Sequence, residues 1–182
     1  MTKKVSSYLL FSLILLLCGC KSHKNISDYN DYNDYNVYNE EELLQHIINN
    51  IEQTSDSKLL LDKAKEWIGT PYKYGHSEKG IATDCSGMVM VLYLEVYNIK
   101  LPRNSAKQGE FCKQISHSEV SPGDLVFFAT GKNKNRISHV GIMISSTQFI
   151  HASSSKGVII SDISADYYKS RLIKFGKVPI ND

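Results

Sequence analysis

The chain has 182 residues, of which 42% are hydrophobic. That is enough for one domain with a buried core plus a tail. Its 21 basic and 19 acidic side chains leave a formal net charge of +2, the lysines are scattered, and no DNA-binding motif accompanies them, which argues against a nucleic-acid partner.

The charge is unevenly spread. Residues 1–19 hold Lys3 and Lys4 and no acid, 20–56 hold 2 basic and 8 acidic residues, and 57–182 hold 17 basic and 11 acidic, net +6. A basic domain on an acidic tail suits an anionic partner such as a cell-wall polymer. The four cysteines, Cys18, Cys20, Cys85 and Cys112, stand in unlike surroundings and do not read as a two-disulfide framework.

A basic start and an apolar run from Tyr8 to Leu17 make a secretory signal, because a spanning helix needs ~20 apolar residues. The end of that run, Leu17-Cys18-Gly19-Cys20, resembles the bacterial lipobox. The resemblance implies a signal peptide over 1–19, cleavage before Cys20, and lipidation of Cys20. The protein is then expected in the cell envelope, held to a membrane by its lipid and facing the periplasm. Lys21 is not the aspartate that retains lipoproteins at the inner membrane, which favours the outer one. Residues 20–39 contain Asp-Tyr-Asn three times, at 28–36. That period fits neither helix nor strand, and it reads as a flexible tether.

From Glu40 the pattern becomes helical. Three acids precede Leu43, Leu44, Ile47, Ile48 and Ile51, which predicts a leading helix over 40–56. Thr54-Ser55-Asp56-Ser57 is expected to break it. A second helix is predicted from Ser57 to about Ile68, opening a domain over 57–182, with Gly69 as its stop. Gly69 to Gly75 is turn-rich.

Asp84-Cys85-Ser86-Gly87 then meets an apolar run, Met88 to Leu94. Asp84 is a good N-cap, so Cys85 opens a helix predicted to reach about Asn98. A helix N-terminus is positive and has unpaired N–H groups, which favours a thiolate at Cys85. Gly87 lets another segment approach the first turn. Apolar residues on most faces make this helix a central one. Beyond it, 125–128, 137–144, 148–152 and 158–160 read as strands, and 172–175 as a segment that closes the sheet. Helices first and strands last predict an α+β fold with an antiparallel sheet.

His139 and His151 fall on neighbouring predicted strands. An ordinary thiol needs a base to ionise near neutral pH. His139 can be that base and later protonate a leaving amine; His151 can orient His139, the third role of a triad. From spacing alone the histidines could instead be satisfied core residues. One cysteine and two histidines could also begin a zinc site, although no close-spaced Cys or His pair supports a metal.

Asp84-Cys85-Ser86-Gly87, His139-Val140-Gly141-Ile142 and Phe149-Ile150-His151-Ala152 together resemble the signature blocks of the NlpC-type cysteine peptidases. Thr70-Pro71-Tyr72, Leu101-Pro102-Arg103 with Ser105 and Gln108, and Pro122-Gly123-Asp124-Leu125 match further blocks in order. The resemblance covers roughly 57–182. It implies a papain-like α+β fold, a Cys85 nucleophile, a His139 base, His151 as the orienting residue, and Tyr72 near the thiol as an oxyanion donor. It also implies a peptidoglycan endopeptidase that cuts stem peptides or crosslinks at a γ-D-glutamyl-diaminopimelate or D-alanyl-diaminopimelate bond. Neither a metal nor an organic cofactor is needed, and a monomer is expected.

Gly75-His76 departs from the family's Gly-Gly, which puts the cleft wall and substrate preference in question, although an exposed loop histidine is the favoured reading of His76. Asp84 and Ser86 either contact substrate or serve capping alone. Arg103 either forks onto a substrate carboxylate or pins its loop. Lys132, Lys134 and Arg136 either draw in anionic stem peptides or form a solvated loop, the second being the favoured reading, and Cys112 is expected to lie apart from Cys85. An amidase or acyltransferase on the same scaffold, and a wall-binding lipoprotein without catalysis, are the competing functions.

Overall fold

The computed structural model describes residues 40–180. The signal, Cys20 and the tether lie outside them. Helix α1 spans Glu40–Lys65 without interruption, so the break expected at Thr54–Ser57 is absent. The four polar residues include neither Gly nor Pro, and each costs a helix only about 0.5 kcal/mol. Burial of Leu60 and Ala64 just beyond them outweighs that cost. The helix ends three residues before the predicted Ile68, in a run of tight turns that buries Trp67, and Gly69 then takes φ 84°.

A short hairpin, β1 (Ser77–Glu78) and β2 (Ala82–Thr83), precedes α2, Cys85–Tyr97. Asp84 is the N-cap, its side chain accepting from the Gly87 N–H, and Asn98 closes the helix in the left-handed conformation. The first turns, Cys85–Val89, are buried throughout, whereas Leu94 is 45% exposed. The helix is therefore central at the end that carries the cysteine. α3 (Ser105–Phe111) and β3 (Lys113–Ile115) follow, in a stretch whose polar sequence hid both.

The sheet is completed by β4 (Leu125–Phe128), β5 (His139–Met143), β6 (Gln148–Ser153), β7 (Gly157–Asp162), a short α4 (Asp166–Lys169) and β8 (Leu172–Lys177). Its order is β3-β8-β4-β5-β6-β7, antiparallel throughout. β8 lies between β3 and β4 instead of closing an edge.

Side-chain alternation divides the core. Leu125, Phe127, Val140, Ile142, Ile150 and Ala152 pack with α2 and the end of α1, and Val126, Phe128, Met143, Phe149 and Phe175 pack on the other face. β5 and β6 pair only through Ile142–Ile150 and Met143–Phe149. Toward His139 and His151 that ladder has stopped. Among the described residues no helix is long and apolar enough to cross a membrane.

Candidate active site

Three elements bring the predicted residues together. α2 presents Cys85 at its first turn, β5 starts at His139, and β6 carries His151. All three line one cleft of about 410 Å³, with Tyr72 on its wall. Tyr72 is held there because its segment runs beside Thr83: the Lys73 N–H donates to the Thr83 carbonyl and the Thr83 N–H to the Pro71 carbonyl, both at 2.9 Å.

Two glycines make the approach possible. A Cβ on Gly87 would lie 2.5 Å from the His76 carbonyl oxygen, so the turn before β1 rests directly on the first turn of α2. A Cβ on Gly141 would lie 2.6 Å from Phe149 Cδ2 and 3.3 Å from His151 Cβ. His76 thus acts through its backbone, its carbonyl accepting from the Asp84 N–H at 3.0 Å and from Arg103 at 3.3 Å. Its side chain is not part of the cleft wall.

His139 Nε2 lies 2.8 Å from His151 Nδ1, with the rings edge-on. That leaves His139 Nδ1 as the nitrogen free to take a proton. The backbone N–H of Val140, the residue after His139, favours the Cys85 thiolate. Burial nevertheless pushes the Cys85 thiol up to about 11, against the pull of Val140 and of the helix-terminal N–H groups, and the Asp84 carboxylate adds to the rise. Burial likewise pushes His139 down to about 4. Burial thus favours the neutral thiol and the neutral imidazole and works against the thiolate that the helix terminus favours.

Asp84 anchors a second cluster. Arg103 forks onto it, Nη1 to Oδ1 and Nη2 to Oδ2, each at 2.8 Å. The Gly75 and Gly87 N–H groups donate to the same carboxylate at 2.7 and 2.8 Å. Burial alone would raise the Asp84 carboxyl; Arg103 and the two N–H groups overcome it and hold the carboxyl below its usual range. Ser86 Oγ lies within reach of both Asp84 and Arg103, at 3.2 and 3.1 Å. The fork of Arg103 is therefore spent on its own chain, while 40% of its side chain stays exposed. Gln108 donates from Nε2 to the carbonyls of Ser86 and Pro102, tying α3 to the first turn of α2.

Cys112 is buried and free, as is Cys85. Sequence reasoning missed the far wall of the cleft: Ser153, Ser154, Ser155 and Lys156 from the β6–β7 turn, with Ser161 and Tyr168 behind His151. Serines in a turn and a tyrosine in a four-residue helix carry no periodic signal.

The geometry has counterparts. A probable endopeptidase NlpC of Escherichia coli K12 is 44% identical over 111 residues, 60% of this chain and 70% of that one. A murein DD-endopeptidase MepS/murein LD-carboxypeptidase of the same organism is 39% identical over 128 residues, 70% of this chain and 64% of that one. A crystal structure of a protein similar to lipoprotein, of the NLP/P60 family, from Staphylococcus aureus Mu50 superposes with a TM-score of 0.63 at 30% identity, over 70% of this chain and 42% of that one. The NlpC/P60 family model matches residues 69–177, a span that runs from the turn before Tyr72 through Cys85, His139 and His151 to the last strand, and the chain belongs to the NlpC/P60 family.

Proposed function

We propose that the protein is a cell-wall hydrolase: a cysteine endopeptidase that cuts peptidoglycan stem peptides or crosslinks, anchored to the envelope through lipid on Cys20. One observation carries the activity: Cys85, His139 and His151 line one cleft, with the two imidazoles hydrogen-bonded at 2.8 Å. Two relatives, an endopeptidase and a murein DD-endopeptidase, point to the substrate class.

Cys85 Sγ attacks the scissile carbonyl while His139 Nδ1 takes the thiol proton. Burial favours the neutral form of both groups, so the proton moves during attack, as in general-base catalysis. The imidazolium is stabilised through its Nε2–H by His151. The oxyanion is met by the Cys85 N–H, which lies in the first turn where the helix offers no carbonyl, and by the Tyr72 hydroxyl. His139 then protonates the leaving amine, a thioester remains, and water activated by His139 releases the acid. Asp84, Ser86 and Arg103 hold the start of α2 in place.

Cys85→Ala removes the nucleophile with little change in packing. Muropeptide release from purified sacculi should fall to background while the far-UV spectrum is kept; undiminished release would refute the assignment. Mass analysis of the digest identifies the bond, and a transferred acyl group in place of a cut peptide would favour an acyltransferase.

A further inference from the structure

The wall behind His151 is polar. His151 Nε2 lies 3.0 Å from Ser161 Oγ on β7 and 3.1 Å from the Tyr168 hydroxyl in α4. Its Nδ1 is taken by His139 Nε2 at 2.8 Å. A neutral imidazole has one N–H and one lone pair, so the proton positions along this chain are linked. His139 can accept a thiol proton at Nδ1 only if its own proton sits on Nε2. His151 Nδ1 must then be the acceptor, and the His151 proton must sit on Nε2, facing the two hydroxyl oxygens. In the reverse arrangement a hydroxyl donates to Nε2, His151 carries its proton on Nδ1, and His139 is left with Nδ1 already protonated.

We propose that Ser161 and Tyr168 are positioning residues that hold His151 in its Nε2–H form, so that His139 presents an unprotonated Nδ1 to Cys85. This rests on the reading of Cys85, His139 and His151 given above.

The sheet and the aromatic cluster aim both hydroxyls. Ser161 pairs with Phe149, and His151 pairs with Ile159 two residues before it, so Ser161 shares the face of His151. Tyr168 is braced by Phe149 at 4.9 Å and Phe128 at 5.3 Å between ring centroids. Its own ring meets His151 edge-on at 5.4 Å. His151 is 1% exposed, so solvent does not readily replace a lost partner. Among the described residues its hydrogen bonds go to His139, Ser161 and Tyr168. The other titratable groups on the cleft, Tyr72, Cys85, Tyr167 and Lys156, bond to neither of its nitrogens.

The test is imidazole ¹⁵N NMR on the full chain near neutral pH, with steady-state kinetics on a bis-disaccharide tetrapeptide dimer. Wild-type His151 should show its proton on Nε2. Tyr168→Phe with Ser161→Ala should shift it toward Nδ1–H and lower kcat about tenfold or more, with KM within about twofold. Ser161→Thr, which keeps a hydroxyl, should restore both when combined with Tyr168→Phe. A wild-type His151 protonated on Nδ1 overturns the proposal. So does a double variant with unchanged ring signals, whether its kcat holds or falls together with its melting temperature. The ring signals need no turnover, so an active Cys85→Ala protein would refute the triad by a separate measurement.

Discussion

The two imidazoles are more buried than a charged histidine tolerates. Burial pushes His139 down to about 4, and burial with the nearby His139 pushes His151 down to about 3. In the unfolded chain both would titrate near ~6.5. Below that value the unfolded chain binds protons that the folded site refuses. Stability from the neutral rings is therefore complete above about pH 6.5 and is lost as the pH falls toward 4, by up to about 1.4 kcal/mol per unit for each ring. Asp84 acts in a lower window, since its depressed carboxyl loses its ionic bonds only below the ordinary carboxylate range. Melting temperatures between pH 7 and 4.5 should fall steeply for the wild type and about half as steeply for His151→Gln; parallel slopes would contradict the burial argument. Arg103 makes a different prediction. Removing it leaves the carboxylate of Asp84, which is 3% exposed, with two backbone N–H donors and no counter-charge. Breaking a fully buried pair costs about 3–5 kcal/mol, and the exposure of Arg103 brings the expected loss for Arg103→Ala to about 2 kcal/mol. Arg103→Lys should recover little of it, because an ammonium cannot make the fork. Urea denaturation of the wild type and the two variants checks both expectations.

At the scale of elements, the first turn of α2 carries the most constraint. A methyl on Gly87 would have to displace the His76 carbonyl, 2.5 Å from its position, and would crowd Asp84 Oδ1 at 3.1 Å. Gly87→Ala should cost about 1–3 kcal/mol and lower activity further, by shifting Cys85 against His139. Gly131→Ala is the control: its Cβ meets only Ser138, with Oγ at 3.5 Å, and its melting temperature and activity should stay near wild type. Equal losses in the two variants would show that the His76 contact is not what matters. This turn was legible in the sequence because its signals are local. A capping Asp, a Gly three residues on and an apolar run all lie within about eleven residues, three helical turns. The strands at 125–128 and 148–152 were legible for the same reason. The unbroken α1 was not, since weak propensities at 54–57 yield to tertiary burial farther along. The place of β8 between β3 and β4, the fork of Arg103 on Asp84, and the hydroxyls behind His151 were also hidden. Each is a contact between different elements, 10 or more residues apart, and no local pattern encodes it.

The whole molecule adds a long-range term to these contacts. Residues 57–182 carry 17 basic and 11 acidic side chains, and the loop with Lys132, Lys134 and Arg136 stands exposed between β4 and β5. Thr130 and Ser138, at the base of that loop, line the cleft, and Lys156 stands on its wall. With a peptidoglycan substrate that carries free carboxylates, such a field raises the rate of encounter and leaves the chemical step alone. Exposed charges are screened over about 10 Å at 0.1 M salt and about 3 Å at 1 M. Raising the salt from about 0.05 to about 0.5 M should therefore raise KM for sacculi several-fold and leave kcat within about twofold. Neutralising the loop, with Lys132, Lys134 and Arg136 all changed to Gln, should flatten that dependence and keep kcat. A kcat that falls with salt in wild type and variant alike would place the effect at Cys85 and His139 and remove steering as its cause.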